Sequence, residues 1–495
     1  MQEVTLRRKL NTFDVTSLVV GSIIGADIYV AAAFGARLVG PSSLLIWLVA
    51  GLMAIVIALC FSRCVRMMPI VGGPYAYSKE SFGPFGGFIV GWSLLLAEWL
   101  SLAVFPVAFA QYSLALLPDL GKGYDILLKG AFILIVLGTN LLGIRAAGKV
   151  NDVLTVAKLA PLFVVIVAGV AFISFDPARA SANFAPFFKG GPGDFATALV
   201  LIFWAYAGFE LSTLPANEIE RPERTIPRAI VTGMLIVAVF YITTNFVILG
   251  TVDQTTLASS QSPLMDATEM MFSDLGGLAT LMPIIIGVGA LLSILGADES
   301  GTIGTSRLAY AMSLDGLLPR SMSTLHSKYN TPYIGLAVIC ITAFVASIIG
   351  GLAALISASV FLLAFAYLAT CASAISLQRK AEDSAFKSGT RLVLPILGIG
   401  FSATLLFLVG PKNIVVSAAM LLVGVPIYVA FTPRRELSDL KASFLSREAV
   451  LRRAYEQGEQ FLAYPWRRLA WIYYRFRGRA KPWVVSRKTK APPNA

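Results

Sequence analysis

Seven ionisable residues stand in stretches of this chain that are otherwise apolar: Asp27, Glu98, Lys158, Glu210, Asp298, Glu299 and Arg307. On insertion scales a charge at the centre of a bilayer costs about 2.5–3.5 kcal/mol, so the set would cost on the order of 20 kcal/mol if every member faced lipid unpaired. They must face one another or water. Five are acids and two are bases, so the interior they share attracts cations, protons or ammonium groups. Each also has a plain structural reading, an ion pair that only holds helices together. That reading is strongest for Arg307, near a predicted helix end, where a long side chain can reach the interface.

Two of the acids follow glycines in a telling way. GSIIGADIY, residues 21–29, places Gly21, Gly25 and Asp27 in the middle of an apolar run. Non-helical backbone at that depth survives only when buried in protein or lining a watery cavity. The stretch FWAYAGFEL, residues 203–211, repeats the pattern with Gly208 and Glu210. Two glycine-interrupted helices, each opening a set of five spans, are the signature of inverted repeats around a central binding site. Half-helix ends would offer free N–H groups to a carboxylate and free C=O groups to an ammonium. The candidate binding residues are therefore Ile24, Gly25, Ala26, Asp27, Phe203, Trp204, Tyr206, Gly208 and Glu210, with Glu98, Asp298 and Glu299 from other helices. A simple kink with a capping Asp is the alternative at the first site, and packing is the alternative for the aromatics.

The elements that must position these residues are membrane helices. The chain has 495 residues, 57% hydrophobic and only 14% charged, whereas a soluble domain is nearer one quarter charged. Twelve apolar spans are predicted, at about 14–39, 43–65, 85–116, 125–144, 152–174, 195–217, 229–250, 280–312, 332–350, 353–378, 392–410 and 413–432. With the N-terminus inside, inner loops carry seventeen Lys/Arg and outer loops five, so both termini are expected in the cytoplasm of a multi-pass cell-membrane protein. No cleavable signal is expected, because the first apolar run is too long. The tail 433–495 has fifteen Lys/Arg against five Asp/Glu, so its net +10 accounts for most of the chain's +12. Its stretch WRRLAWIYYRFRGR suits an interfacial helix on anionic lipids; a disordered cytoplasmic tail is the alternative, and nucleic-acid binding is not expected.

Cys60, Cys64, Cys340 and Cys371 show no paired metal spacing, and the lone His326 sits in a polar loop. They read as packing residues. No cofactor and no metal are expected. No phosphate loop or nucleophile–base motif points to an enzyme.

The motifs resemble those of the amino acid–polyamine–organocation permeases. GSIIGADIY resembles that family's first-helix glycine motif. PIVGGPYAY with FGPFGGFIVGW resembles its loop between helices 2 and 3. FWAYAGFE with ANEIERPERTIPRAI resembles its helix 6 and the loop beyond, and SRLAYAMSLDGLLP its helix 8 exit. The match spans about residues 10–430. It implies an all-α membrane fold with a five-plus-five inverted-repeat (LeuT-like) core, repeats at about 14–174 and 195–378, and two added helices at 392–432. It also implies a substrate site between helices 1, 3, 6 and 8. Lys158 matches a helix 5 lysine of sodium-independent members, which implies proton coupling there; a buried lysine's lowered proton affinity agrees. Two departures stand out: Asp27 replaces the family's glycine, and Asp298 and Glu299 are extra acids. The resulting expectation is a secondary transporter of amino acids, proton-coupled, with a polyamine or cationic amino acid exchanger as the alternative. A non-transporting nutrient sensor is the alternative from another class.

Overall fold

Proline begins many of the helices. It occupies the first turn of α4 (Pro74–Leu116), α7 (Pro177–Asn183), α8 (Pro192–Phe203), α9 (Pro222–Thr251), α11 (Pro263–Phe272) and α16 (Pro411–Phe431). At that position the missing N–H costs nothing and the fixed φ favours the helix. The other helices are α1 (Thr12–Ile23), α2 (Ala26–Val39), α3 (Ser43–Met67), α5 (Asp125–Leu141), α6 (Ile144–Phe175), α10 (Gln254–Ser259), α12 (Gly277–Leu314), α13 (Tyr333–Ile349), α14 (Leu352–Lys380) and α15 (Val393–Leu408). The computed structural model describes residues 10–142, 144–214, 216, 219–380 and 392–432, with the backbone alone for Lys122 and residues 144–157. The basic N-terminal residues Arg7, Arg8 and Lys9 and the whole tail 433–495 lie outside the described residues.

Among the described residues the structure is helical and has no strand. Eight helical stretches are long and apolar enough to cross a membrane, and α1, α13 and α15 are shorter apolar helices. Outward faces stay apolar: Phe407 is 80% exposed and Leu422 65%. In water such faces would invite aggregation; in lipid they are solvated. Polar and charged side chains are turned inward, where α1 packs on α6, α9 and α12, and α4 packs on α12 and α14.

Three differences from the sequence reading bear on function. First, α6 begins at Ile144 rather than 152, so Lys158 sits near mid-helix and not two turns from an end. A polar stretch can continue a helix past the apolar window, because water satisfies its outward side. Second, the span expected at 195–217 stops being an α-helix at Phe203. It continues as 3-10 turns Trp204–Tyr206 and Phe209–Thr213. The Ser212 and Thr213 hydroxyls bond to carbonyls three residues back, Phe209 and Glu210, at 2.7 Å each, which suits the tighter winding. Third, α7, α10 and α11 are helices in segments read as loops.

Candidate substrate site at two helix breaks

The first break lies at Ile24 and Gly25. Ile24 is extended, ending α1, and Gly25 precedes the first turn of α2. The carbonyls that α1 leaves unpaired find partners on other helices. Gly21 C=O accepts from Lys158 Nζ on α6 at 2.5 Å, and Ile23 C=O from Tyr241 Oη on α9 at 3.1 Å. Ile24 C=O accepts from Ser293 Oγ on α12 at 3.4 Å. On the other side, Asp27 sits in the first turn of α2, and its Oδ1 accepts from Gly25 N–H at 2.7 Å. Its Oδ2 lies against Tyr241 Oη, whose single proton is shared between this carboxyl and Ile23 C=O. A cation at the end of one half-helix and an anion at the start of the next both suit the backbone dipoles. Lys158 and Asp27 are buried, 1% and 4% exposed, and each feels the other's charge.

The second break lies at Ala207 and Gly208. Gly208 has φ +113°, a conformation that a side chain resists. A Cβ there would also lie 2.8 Å from Ser22 C=O. The two breaks thus touch: Ser22 Oγ donates to Gly208 C=O at 3.0 Å. Glu210 turns back on its own break, both oxygens accepting from Gly208 N–H at 3.1 and 3.0 Å. Glu98 of α4 and Tyr367 of α14 both lie beside Glu210.

Between the breaks is a cavity of about 30 Å³, measured as the space open to the centre of a water-sized sphere. That holds water and is too small for an amino acid, so a ligand must widen it. Of the residues singled out by sequence, Asp27, Glu98, Trp204 and Gly208 line it. Trp204 Nε1 donates to Ser101 Oγ at 3.0 Å, and its ring lies 6.0 Å from that of Phe105, centre to centre. Gly25 stands behind the wall: a Cβ on it would meet Ala297 Cβ at 2.5 Å and Phe105 at 2.9 Å, both lining residues.

Other candidates lie elsewhere. Ile24, Ala26, Glu210 and Lys158 are buried in the breaks' support and do not line the cavity. Phe203 packs towards Tyr367, and Tyr206 donates to Trp47 C=O at 2.9 Å. Asp298 and Glu299 point off the cavity, towards Cys340 and Thr139 respectively. Residues that sequence reasoning passed over include Ser22, Ser101, Phe105, Ala297 and Gly301 in the lining, and Tyr241 and Tyr367 behind the acids. Nothing local marks the two tyrosines among sixteen in the chain. The small residues Ala297 and Gly301, four apart on α12, are a signal of close approach that could have been read.

Comparison with known proteins gives the chain a family. The amino acid permease family matches residues 10–431. The branched-chain amino acid permease BcaP of Bacillus subtilis is 29% identical over 452 residues, covering 87% of this chain and 94% of the relative. The human cystine/glutamate transporter is 29% identical, covering 87% of this chain and 86% of its own. The human large neutral amino acids transporter small subunit 2 is 28% identical, covering 86% and 80%. These relatives are permeases and transporters rather than enzymes. With that match over nearly its whole helical part, the chain belongs to the amino acid permease family and is a multi-pass membrane protein.

Proposed function

We propose that this protein is a secondary active transporter of amino acids, coupled to protons. It would work by alternating access in a twelve-span membrane domain, built on five-plus-five inverted repeats, with both termini in the cytoplasm. The observation that carries the reading is the meeting of two glycine-centred helix breaks at a small acid-lined cavity. Broken helices at bilayer depth have a use when their free backbone groups receive a ligand. A substrate ammonium is drawn to Asp27 and Glu98 and to the aromatic face of Trp204. A substrate carboxylate is drawn to the N–H groups that open α2.

Coupling falls to Lys158. Its ammonium ties α6 to the end of α1 through Gly21 C=O. Losing the proton removes the charge and weakens this tie, so protonation biases the first break between two arrangements. A tenfold bias needs only about 1.4 kcal/mol. The test is uptake of labelled leucine into proteoliposomes with an imposed pH difference. Accumulation by wild type and its loss in Lys158→Ala are expected. Equal accumulation by both would remove Lys158 from coupling, and no flux of any amino acid would remove the transporter reading.

One observation favours a second reading, a substrate that is an amine or a cationic amino acid. Asp27 Oδ1 already occupies Gly25 N–H. A zwitterion's carboxylate must displace it; a polyamine need not. Competition of leucine uptake by putrescine, arginine and neutral amino acids separates the two.

A further inference from the structure

Among the described residues, no cation acts on the two buried acids at the second break. Glu98 is 5% exposed and Glu210 fully buried. The charged and titratable groups acting on them are each other and Tyr367, with Asp27 across the cavity as a further acid. Glu98 Oε1, itself buried, accepts no hydrogen bond from any donor among the described residues. A buried acceptor left without a donor is costly. Yet its neighbour is another carboxyl, which has nothing to donate unless it carries a proton.

Two carboxylates side by side inside a low-dielectric interior repel strongly, and ionising both is costly. One proton resolves both difficulties. It removes one of the two charges, and it supplies the O–H that joins the carboxyls. We propose that Glu98 and Glu210 form a carboxyl pair that binds a single proton. This proton site would be separate from Lys158, and it would clasp α4 to the second break. The stoichiometry is one proton on two groups, leaving one negative charge on the pair. The charge is spread towards Gly208 N–H on the Glu210 side and towards the cavity on the Glu98 side. Which oxygen holds the proton belongs to the pair and not to either residue.

The geometry gives this proton a lever. Glu98 stands on the cavity wall, whereas Glu210 holds Gly208 in its positive-φ conformation. With the proton bound, the pair bridges wall and break. Without it, two like charges push α4 and the break apart and widen the cavity between them. An ammonium group arriving beside Glu98 would favour the ionised form and release the proton. Use of the pair in transport rests on the function proposed above. The proton itself does not.

Infrared spectroscopy reads that proton without any transport. Purified wild type at neutral pH should show a carboxylic-acid C=O band that shifts on 13C labelling of glutamate. Glu98→Gln and Glu210→Gln should each abolish that labelled band, because the remaining carboxylate then meets an amide donor and ionises. Glu299→Gln and Lys158→Ala should keep it. A labelled band that survives in both pair variants overturns the proposal. So does the absence of any glutamate acid band in wild type, a test that needs no variant of the pair and so no assumption about folding. Because the spectrum is independent of flux, failed uptake with the band present would count against the transport reading alone.

Discussion

The two helix breaks carry one local device and opposite surroundings. In each, a glycine is followed two residues later by an acid, Gly25-Ala26-Asp27 and Gly208-Phe209-Glu210. In each, that acid turns back to accept the glycine's N–H. Each acid also has a tyrosine from a distant helix, Tyr241 or Tyr367. The third partner differs. At the first break it is Lys158, a base whose protonated form brings positive charge to the acid. At the second it is Glu98, a further acid. The same cap therefore sits in a field of opposite sign at the two breaks, a lysine near one and a second acid near the other.

The largest effect is expected where the two breaks are alike. Leucine at either glycine should reduce proteoliposome uptake to background while the protein still inserts. At Gly25 the new side chain would collide with Ala297 and Phe105, and at Gly208 with the Ser22 backbone, on top of the positive φ. Normal uptake by one of the two variants would show that only the other break serves the substrate.

Stability should separate the breaks next. Lys158→Met removes the positive charge that acts on Asp27 and leaves the buried Gly21 C=O without its charged donor, which should cost about 1.5–3 kcal/mol. Glu98→Gln replaces the shared proton by an amide donor and keeps one negative charge at the break, so a change within about 1 kcal/mol is expected. Unfolding in detergent measures both. A Lys158→Met, Asp27→Asn double variant should recover part of the loss, as coupled neighbours do. Equal penalties for Lys158→Met and Glu98→Gln would mean that the two acids are balanced in the same way.

The tyrosines sharpen the contrast on a smaller scale. Tyr241→Phe removes the hydroxyl that bonds Asp27 and Ile23 C=O and should cost about 1–2 kcal/mol, against a smaller loss for Tyr367→Phe beside the carboxyl pair. The reverse order in the same unfolding assay would place the full charge at the second break.

The smallest effect belongs to a cap outside the membrane helices. Asp253 precedes α10 and accepts from the Thr255 hydroxyl and from the amides of Thr255 and Thr256. The threonine donors hold its carboxyl down at about 2. Asp253→Ala should cost about 1 kcal/mol. Because the folded value is depressed, the stabilisation is present above the ordinary aspartate value of about 3.9 and fades as the pH falls from there through about 2. A melting-temperature difference between wild type and Asp253→Ala at pH 6 that narrows at the lowest accessible pH checks the sign. A difference that widened on acidification would contradict it.

Much of this was written in local sequence. An apolar run must become a helix in lipid, because backbone groups there have no other partners. A glycine beside an acid within such a run therefore marks a break. Gly25 with Asp27 and Gly208 with Glu210 could be read on that ground, and so could the capping role considered for Asp27. Proline opens helices by the same local logic, and Pro74, Pro192, Pro222 and Pro411 start theirs ahead of the apolar windows at 85, 195, 229 and 413. What sequence could not supply was the rotation of each helix about its axis. Asp298 and Glu299 are as conspicuous as Glu98 in the chain, yet α12 turns Ala297 and Gly301 to the cavity instead. Tyr241 and Tyr367 meet their acids across more than 150 residues. Lys158 and Glu98 are each a lone charge in an apolar run. Only the packing of α6 on α1, and of α4 near the second break, decides that one neutralises an acid and the other repels one. The reason is physical: a break's backbone depends on its immediate neighbours in the chain, whereas the field at a buried carboxyl depends on whatever charge the fold brings within a few ångströms.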